Sequence, residues 1–316
     1  MKRLSIAFAL ATLLCSVGVA TSGDQGQGQE HGQGNQGLGG PPPVAEPPMS
    51  GIQWARGEAR PGGGGGSPLL VYHNGPIMSA GAYVEPIFWG PRWNDGTFAG
   101  DKVTGLELFY GGMGSSSYEA TNTEYTQTGG AHVGTGVTLG NTHVDSSDAV
   151  KSGSRTSPIL AEACSQATTL KTNGYYPVYI DQPRGHAGYC AWHSAGTCPN
   201  GVTIQFAFFF NLDGDPGCDP EDTSGSHSQG LAALANVSGH ELSEALTDPH
   251  LNAWYDASGA ENSDKCAWAF GTPLLTFSNK SKWKIQGNWS NAAFNANTGY
   301  PNRDGQNGCL DGGNFK

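Results

Sequence analysis

The sequence is poor in charge. Only 14% of its 316 residues are Asp, Glu, Lys or Arg, against about a quarter in ordinary soluble domains. Positive charge is scarcest, with 16 Lys+Arg against 27 Asp+Glu and a formal net charge of −11. A chain without basic stripes suits neither nucleic acid nor an anionic membrane surface. Long apolar runs are also missing. Beyond the N-terminus nothing approaches the roughly eighteen uninterrupted apolar residues of a membrane span. There is no G-x-S-x-G elbow, no P-loop, and no dinucleotide fingerprint in a strand-to-helix setting, so Ser-His-Asp hydrolysis and nucleotide chemistry find no support.

Glycine is abundant, with 49 residues, and eight Trp and eleven Tyr accompany it. The glycines lack a three-residue period, which excludes a collagen-like helix. Low charge with many Gly and aromatic residues points to an extracellular, loop-rich protein. The 37% hydrophobic content still supplies a core.

The first twenty residues read as a secretory signal peptide. Lys2 and Arg3 precede an apolar stretch from Leu4 to Leu14, and Gly18-Val19-Ala20 offers small residues for cleavage. Bulky Leu14 before Cys15 argues against a lipid-anchoring site. Residues 21–67 read as a low-complexity linker: a Gly/Gln tract, then PPPVAEPP, then five glycines from Gly62 to Gly66. Such a segment buries too little apolar surface to offset its ordering entropy. Spacer, wall tether and pro-segment all fit it.

Residues 68–316 read as one α+β domain built on a mixed, Gly-rich sheet. Strands are expected at 69–75, 82–90, 175–180 and 202–212. The last is continuously apolar and therefore central, covered on both faces. Residues 111–157 read as irregular β structure and long loops. Helices are expected from Pro158 to Leu170 and from Ser228 to Thr247, the second ended by Asp248-Pro249. Cleavage leaves six cysteines, an even count that suits disulfides in a secreted chain. Cys190 pairs with Cys198 or Cys218 in this reading, and Cys266 with Cys309. The alternative, Cys190-x-x-His193 as half of a metal site, lacks a second matching pair.

The chemistry concentrates in GHELSEALTDPHLNAWYDASGAENSD, residues 239–264. On a helix His240 and Glu244 lie one turn apart on one side, the spacing of two metal ligands in a zincin helix. Glu241 then stands where H-E-x-x-H places its general base, with Glu replacing the second His. Zinc accepts carboxylate oxygen as it does imidazole nitrogen. Each anionic ligand makes a coordinated water less acidic, so another divalent ion such as calcium or manganese also suits the set. Glu261 is the first choice for a third ligand, with Asp264 and Asp256 as rivals and His250 at metzincin-like spacing. The competing interpretation is a solvated helix face that happens to carry His-Glu-x-x-Glu. A second acidic run, Asp213 to Asp222, fails the EF-hand pattern and reads as a looser calcium site or a solvated loop. Asn236, Asn279 and Asn288 head formal glycosylation sequons.

The blocks LVYHNGPIM, YVEPIFWGPRW, GYCAWHS, VTIQFAFFFN and ALTDPHLNAWYD resemble the phosphate-induced protein 1 (EXORDIUM-like) family over about residues 69–310. The resemblance implies a secreted, cell-wall-associated protein and no defined reaction. The pair His240-Glu241 departs from the plant pattern and matches microbial look-alikes. The expected function is a secreted zinc metallohydrolase acting on peptide or protein. His240, Glu244, and Glu261 or Asp264 would hold the metal. Glu241 would take the proton of a metal-activated water, and His193 or a tyrosine would steady the oxyanion. The alternative is a non-enzymatic extracellular or cell-wall protein, with glycan binding through exposed Trp a further idea.

Overall fold

The computed structural model describes residues 46–58 and 67–316. The signal peptide, Cys15 and most of the low-complexity linker lie outside the described residues.

The main sheet is mixed, in the order β1-β8-β9-β7-β3-β5, with β4 also pairing β7 and β6 pairing β4. Its strands are β1 Ser50–Trp54, β3 Ala82–Val84, β4 Ile87–Trp89, β5 Val137–Leu139, β6 His143–Asp145, β7 Gly174–Pro183, β8 Tyr189–Thr197 and β9 Thr203–Asn211; the short β2, Val71–Tyr72, lies apart from it. β9 carries the run TIQFAFFFN because it lies between parallel β7 and antiparallel β8, buried on both faces. Each fully buried Phe here contributes roughly 1.5–3 kcal/mol of apolar transfer.

Alternation sorts the side chains. Trp192 of β8 stacks on Phe208 of β9 with ring centroids 5.4 Å apart, and its indole donates to Gly153 O at 2.9 Å. The next residue, His193, paired with Ala207, therefore points to the opposite face. Helix α4, Ser157–Gln166, packs on the Trp192 side, where Leu160 abuts Gly196. Helix α5, Gln229–Thr247, covers the His193 side.

α5 forms where its apolar spacing places it. Ser228 caps it, its hydroxyl accepting the Leu231 N–H at 3.1 Å, and Asp248 ends it. Residues 230 to 247 are all buried, so the solvated-face interpretation of His-Glu-x-x-Glu fails. Three helices precede α4: α1 Gly96–Ala99, α2 Lys102–Met113 and α3 Ser117–Ala120. α2 packs on α5, and Gly105 lets it approach, since a Cβ there would meet the Leu231 side chain at 2.2 Å.

Beyond α5 the chain is short-element structure: β10 Trp254–Tyr255, α6 Asn262–Lys265, β11 Leu275–Thr276, β12 Lys282–Trp283, β13 Asn288–Trp289, α7 Asn291–Asn295, β14 Tyr300–Pro301 and β15 Asn307–Leu310. Disulfides join Cys164–Cys198, Cys190–Cys218 and Cys266–Cys309. Two of the expected pairings form, Cys190 taking Cys218, while Cys164–Cys198 was not anticipated. Closing loops of 28 to 43 residues stabilises by roughly 3–4 kcal/mol each in the chain-entropy account. The bonds suit an oxidising compartment. No helix among the described residues is long and apolar enough to cross a membrane.

Several expectations need correction. Residues 46–58 belong to the stretch read as linker, yet they supply β1 of the main sheet. Residues 111–157 hold the end of α2 and all of α3 as well as loops and short strands. The acidic run keeps Asp213 and Glu221 exposed, as a solvated loop would, although Asp213 accepts from Lys102 Nζ and Asp215 takes a two-point contact from Arg184 at 2.6 and 3.0 Å. Asn236 and Asn288 are fully buried, which leaves only Asn279 of the three sequons exposed. No tryptophan is fully exposed; five are buried and three half-buried, which removes the main support for a glycan platform.

Candidate metal centre

Four elements deliver the site. β8 supplies His193, α5 supplies His240, Glu241 and Glu244, the start of α6 supplies Glu261 and Asp264, and β1 closes over them. The fold-back between Glu244 and Glu261 starts at Asp248, whose carboxylate accepts the N–H groups of Asn252 and Ala253 at 2.6 Å each. Asp256 sustains it, accepting from Ser258, Ala260 and Lys265. The turn lands Glu261 and Asp264 opposite the helix. The wall that brings a ligand to face α5 is β8, one strand nearer the sheet edge than β9.

Two overlapping groups have metal-ligating atoms within 4.8 Å of one another: His193, Glu244 and Glu261, and His240, Glu244 and Asp264. His193 Nε2 stands 3.3 Å from Glu261 Oε2 and 3.6 Å from Glu244 Oε2. His240 Nε2 stands 3.2 Å from Glu244 Oε1 and 3.8 Å from Asp264 Oδ1. Ligands at 2.0–2.2 Å around a tetrahedral zinc lie about 3.3–3.6 Å apart, a spacing that both distances from His193 match. Neither ring nitrogen of His193 has a hydrogen-bond partner, nor has Glu261 Oε2. Buried polar atoms are rarely left so. The residues therefore fit a divalent cation.

The two imidazoles differ. Gln286 is oriented by its neighbours: its Oε1 accepts from Gln53 Nε2 at 3.3 Å and from Trp268 N at 3.2 Å, and its Nε2 donates to Ser263 O at 2.8 Å. The same Nε2 lies 3.0 Å from His240 Nδ1, so His240 accepts there and keeps its proton on Nε2. That nitrogen stands 3.2 Å from Glu244 Oε1, which also accepts the Asp264 N–H at 2.8 Å. In this tautomer His240 orients Glu244, and Glu244 Oε2 is the oxygen turned to His193.

Burial shapes the electrostatics. It depresses His193, but Glu261, Glu244 and Asp248 overcome it and push the imidazole to about 9. Burial raises Glu261 to about 7 despite His193, and Asp248 to about 7. Glu241 is held well above the usual carboxylate range by burial, then by Glu244, Asp264 and Glu261. Its two oxygens have no hydrogen-bond partner. Tyr175 of β7 is buried with an unpartnered hydroxyl, and Glu241 and Glu244 are among the charges that raise it. Tyr110 and Tyr179, whose charges also raise it, form a chain in which Tyr110 contacts Tyr179 and Tyr179 contacts Ser238, both at 2.7 Å.

The four ligands expected from sequence, His240, Glu244, Glu261 and Asp264, come together, with Glu241 among them. Asp256 is engaged by Lys265, and His250 is exposed, outside both groups. His193 is the residue that the spacing argument missed. Its one signal was the Cys-x-x-His block on an apolar strand. No family model matches the chain, and neither a curated protein nor a solved structure matches it.

Proposed function

We propose that this protein is a secreted, metal-dependent hydrolase, with zinc as the ion and peptides as substrates. The observation that carries the reading is the buried trio His193, Glu244 and Glu261, whose His193 Nε2 faces Glu261 Oε2 and Glu244 Oε2 at 3.3 and 3.6 Å, a zinc-shell spacing, without forming a hydrogen bond to either. His240, held by Gln286, and Asp264, through its backbone N–H, fix the Glu244 carboxylate. A bound zinc would supply Lewis acidity to polarise a carbonyl and activate water. Glu241 takes the proton of the attacking water and hands it to the leaving amine. A positive charge in the cluster would lower the raised proton affinity that burial and the neighbouring carboxylates give it. Secretion rests on the signal-like N-terminus together with the three disulfides.

One observation favours a second reading. His193, His240, Glu241, Glu244 and Glu261 are all buried, as befits a structural cation site in a non-enzymatic, EXORDIUM-like extracellular protein. Glu241→Gln separates the two. A hydrolase loses turnover of a casein substrate and keeps its metal. If the wild type, with β1 displaced, binds zinc but releases no peptide, the enzyme reading falls.

A further inference from the structure

The strand that covers the cluster is an unusual part of the fold. β1 adds antiparallel to β8, pairing Ser50 with His193, Gln53 with Ala191 and Trp54 with Tyr189. Without it β8 would be the free edge of the sheet, directly beside the metal-binding groups. An extended peptide adds to such an edge through main-chain hydrogen bonds.

β1 also touches the chemistry itself. The register breaks between Ser50 and Gln53, and Gly51 sits there at φ +50°. A Cβ on Gly51 would fall 2.1 Å from Glu244 Oε2 and 2.2 Å from His193 Nε2, so bare backbone fills the space above the trio. Ser50 Oγ donates to Glu261 Oε1 at 2.8 Å, which leaves Oε2 to face His193.

The segment is strapped at both ends by polar contacts with the domain. Glu46 accepts the Ser157 N–H and hydroxyl at the start of α4, each at 2.9 Å. Arg56 pairs with Glu221 at 3.3 Å and lies over the Trp268 ring. In sequence, the five glycines Gly62–Gly66 separate this strand from β2.

We infer that residues 46–58 are a built-in occupant of a peptide-binding groove along β8, and that they hold the site closed until displaced. The groove takes an extended peptide antiparallel to β8, with a glycine where the backbone passes His193 and Glu244. The left-handed turn at Gly51 lifts the resident strand out of regular extension at the cluster, so it occupies the groove without presenting an ordinary extended bond. This inference rests on the hydrolase reading for its chemistry and on the strand pairing alone for the groove.

The test uses the full chain with a protease recognition sequence in place of Gly62–Gly66. The protein is loaded with zinc, cut, and separated from its N-terminal fragment by mild denaturant and gel filtration. The released protein should stay folded and exchange zinc with a chelator at least tenfold faster than the intact chain. It should hydrolyse casein where the intact chain does not. It should bind a labelled 46–58 peptide, which restores inhibition competitively. If the released protein unfolds, or exchanges zinc no faster and fails to bind the peptide, the inference is overturned. Casein turnover that is present before release and no greater after it overturns it too and leaves the hydrolase reading standing. Peptide binding by released protein that turns over nothing upholds the groove and removes the hydrolase. Gly51→Ala in the uncut chain gives a second readout. It should lift the strand and raise zinc exchange and turnover, whereas a lowered melting temperature with neither gain contradicts the inference.

Discussion

Glu119 sits in α3, fully buried, and neither of its carboxylate oxygens has a hydrogen-bond partner. Burial moves it from its ordinary 4.5 to about 8, only partly opposed by Asn122. The folded chain thus holds a proton that the unfolded chain releases. Stability from this group is complete below the unfolded value and declines as pH rises toward the folded one. Each pH unit in that window is worth about 1.4 kcal/mol, so by pH 7 Glu119 costs about 3 kcal/mol relative to its neutral form. Glu119→Gln keeps the shape and removes the titration. Urea unfolding of both proteins from pH 5 to 8 should give curves that converge near pH 5 and diverge above it, with the variant more stable by about 3 kcal/mol at pH 7. Other buried acids titrate in the same range, including Glu162 and Glu261, both raised to about 7. They are common to both chains and cancel in the difference. Parallel curves would show that Glu119 is ionised when folded, and the burial argument would be wrong.

Three further outcomes follow from the site and its cover. His193→Ala should weaken zinc binding about 10²–10³-fold, one ligand's share of the roughly 10–16 kcal/mol of a structural site. His240→Ala, which only releases Glu244, should cost about 10–100-fold; the reverse order by competitive chelation would refute the assignment of roles. Glu241→Gln should leave zinc affinity within about threefold while hydrolysis by strand-released protein falls about 10²–10⁴-fold, read as peptide release per bound metal. Ser157 holds the Glu46 carboxylate near 2 in the folded chain. That anchor is therefore present above about 4.5 and is lost as pH falls toward 2. Hydrogen exchange should show residues 46–58 opening over that interval before β9 does, and Glu46→Gln should abolish the dependence.

What was legible in the sequence was whatever carried a local period. α5 was placed from apolar spacing and Ser228, and β9 from an unbroken apolar run. Glu261 and Asp264 were within reach because the Asp248-Pro249 stop implied a return of the chain. β1 was hidden by its setting: a short strand with a glycine at its bulge, between Pro-rich and Gly-rich tracts. α2 was hidden because Gly105, Gly111 and Gly112 lower its helix propensity, although packing against Leu231 needs the first of them. His193 enters through a strand pairing forty-seven residues from His240, and no local period encodes a contact of that range. The same holds for Cys164–Cys198.

A cation bound by His193, Glu244 and Glu261 underlies every role assigned to the site. Elemental analysis of the purified full-length chain, with the His193→Ala, Glu261→Gln double variant beside it, is the most direct test. One zinc per wild-type chain is expected, and less than about a tenth of that in the folded double variant. Metal-free wild type that stays empty after equilibration with micromolar zinc, or a double variant that retains the full complement, would contradict it.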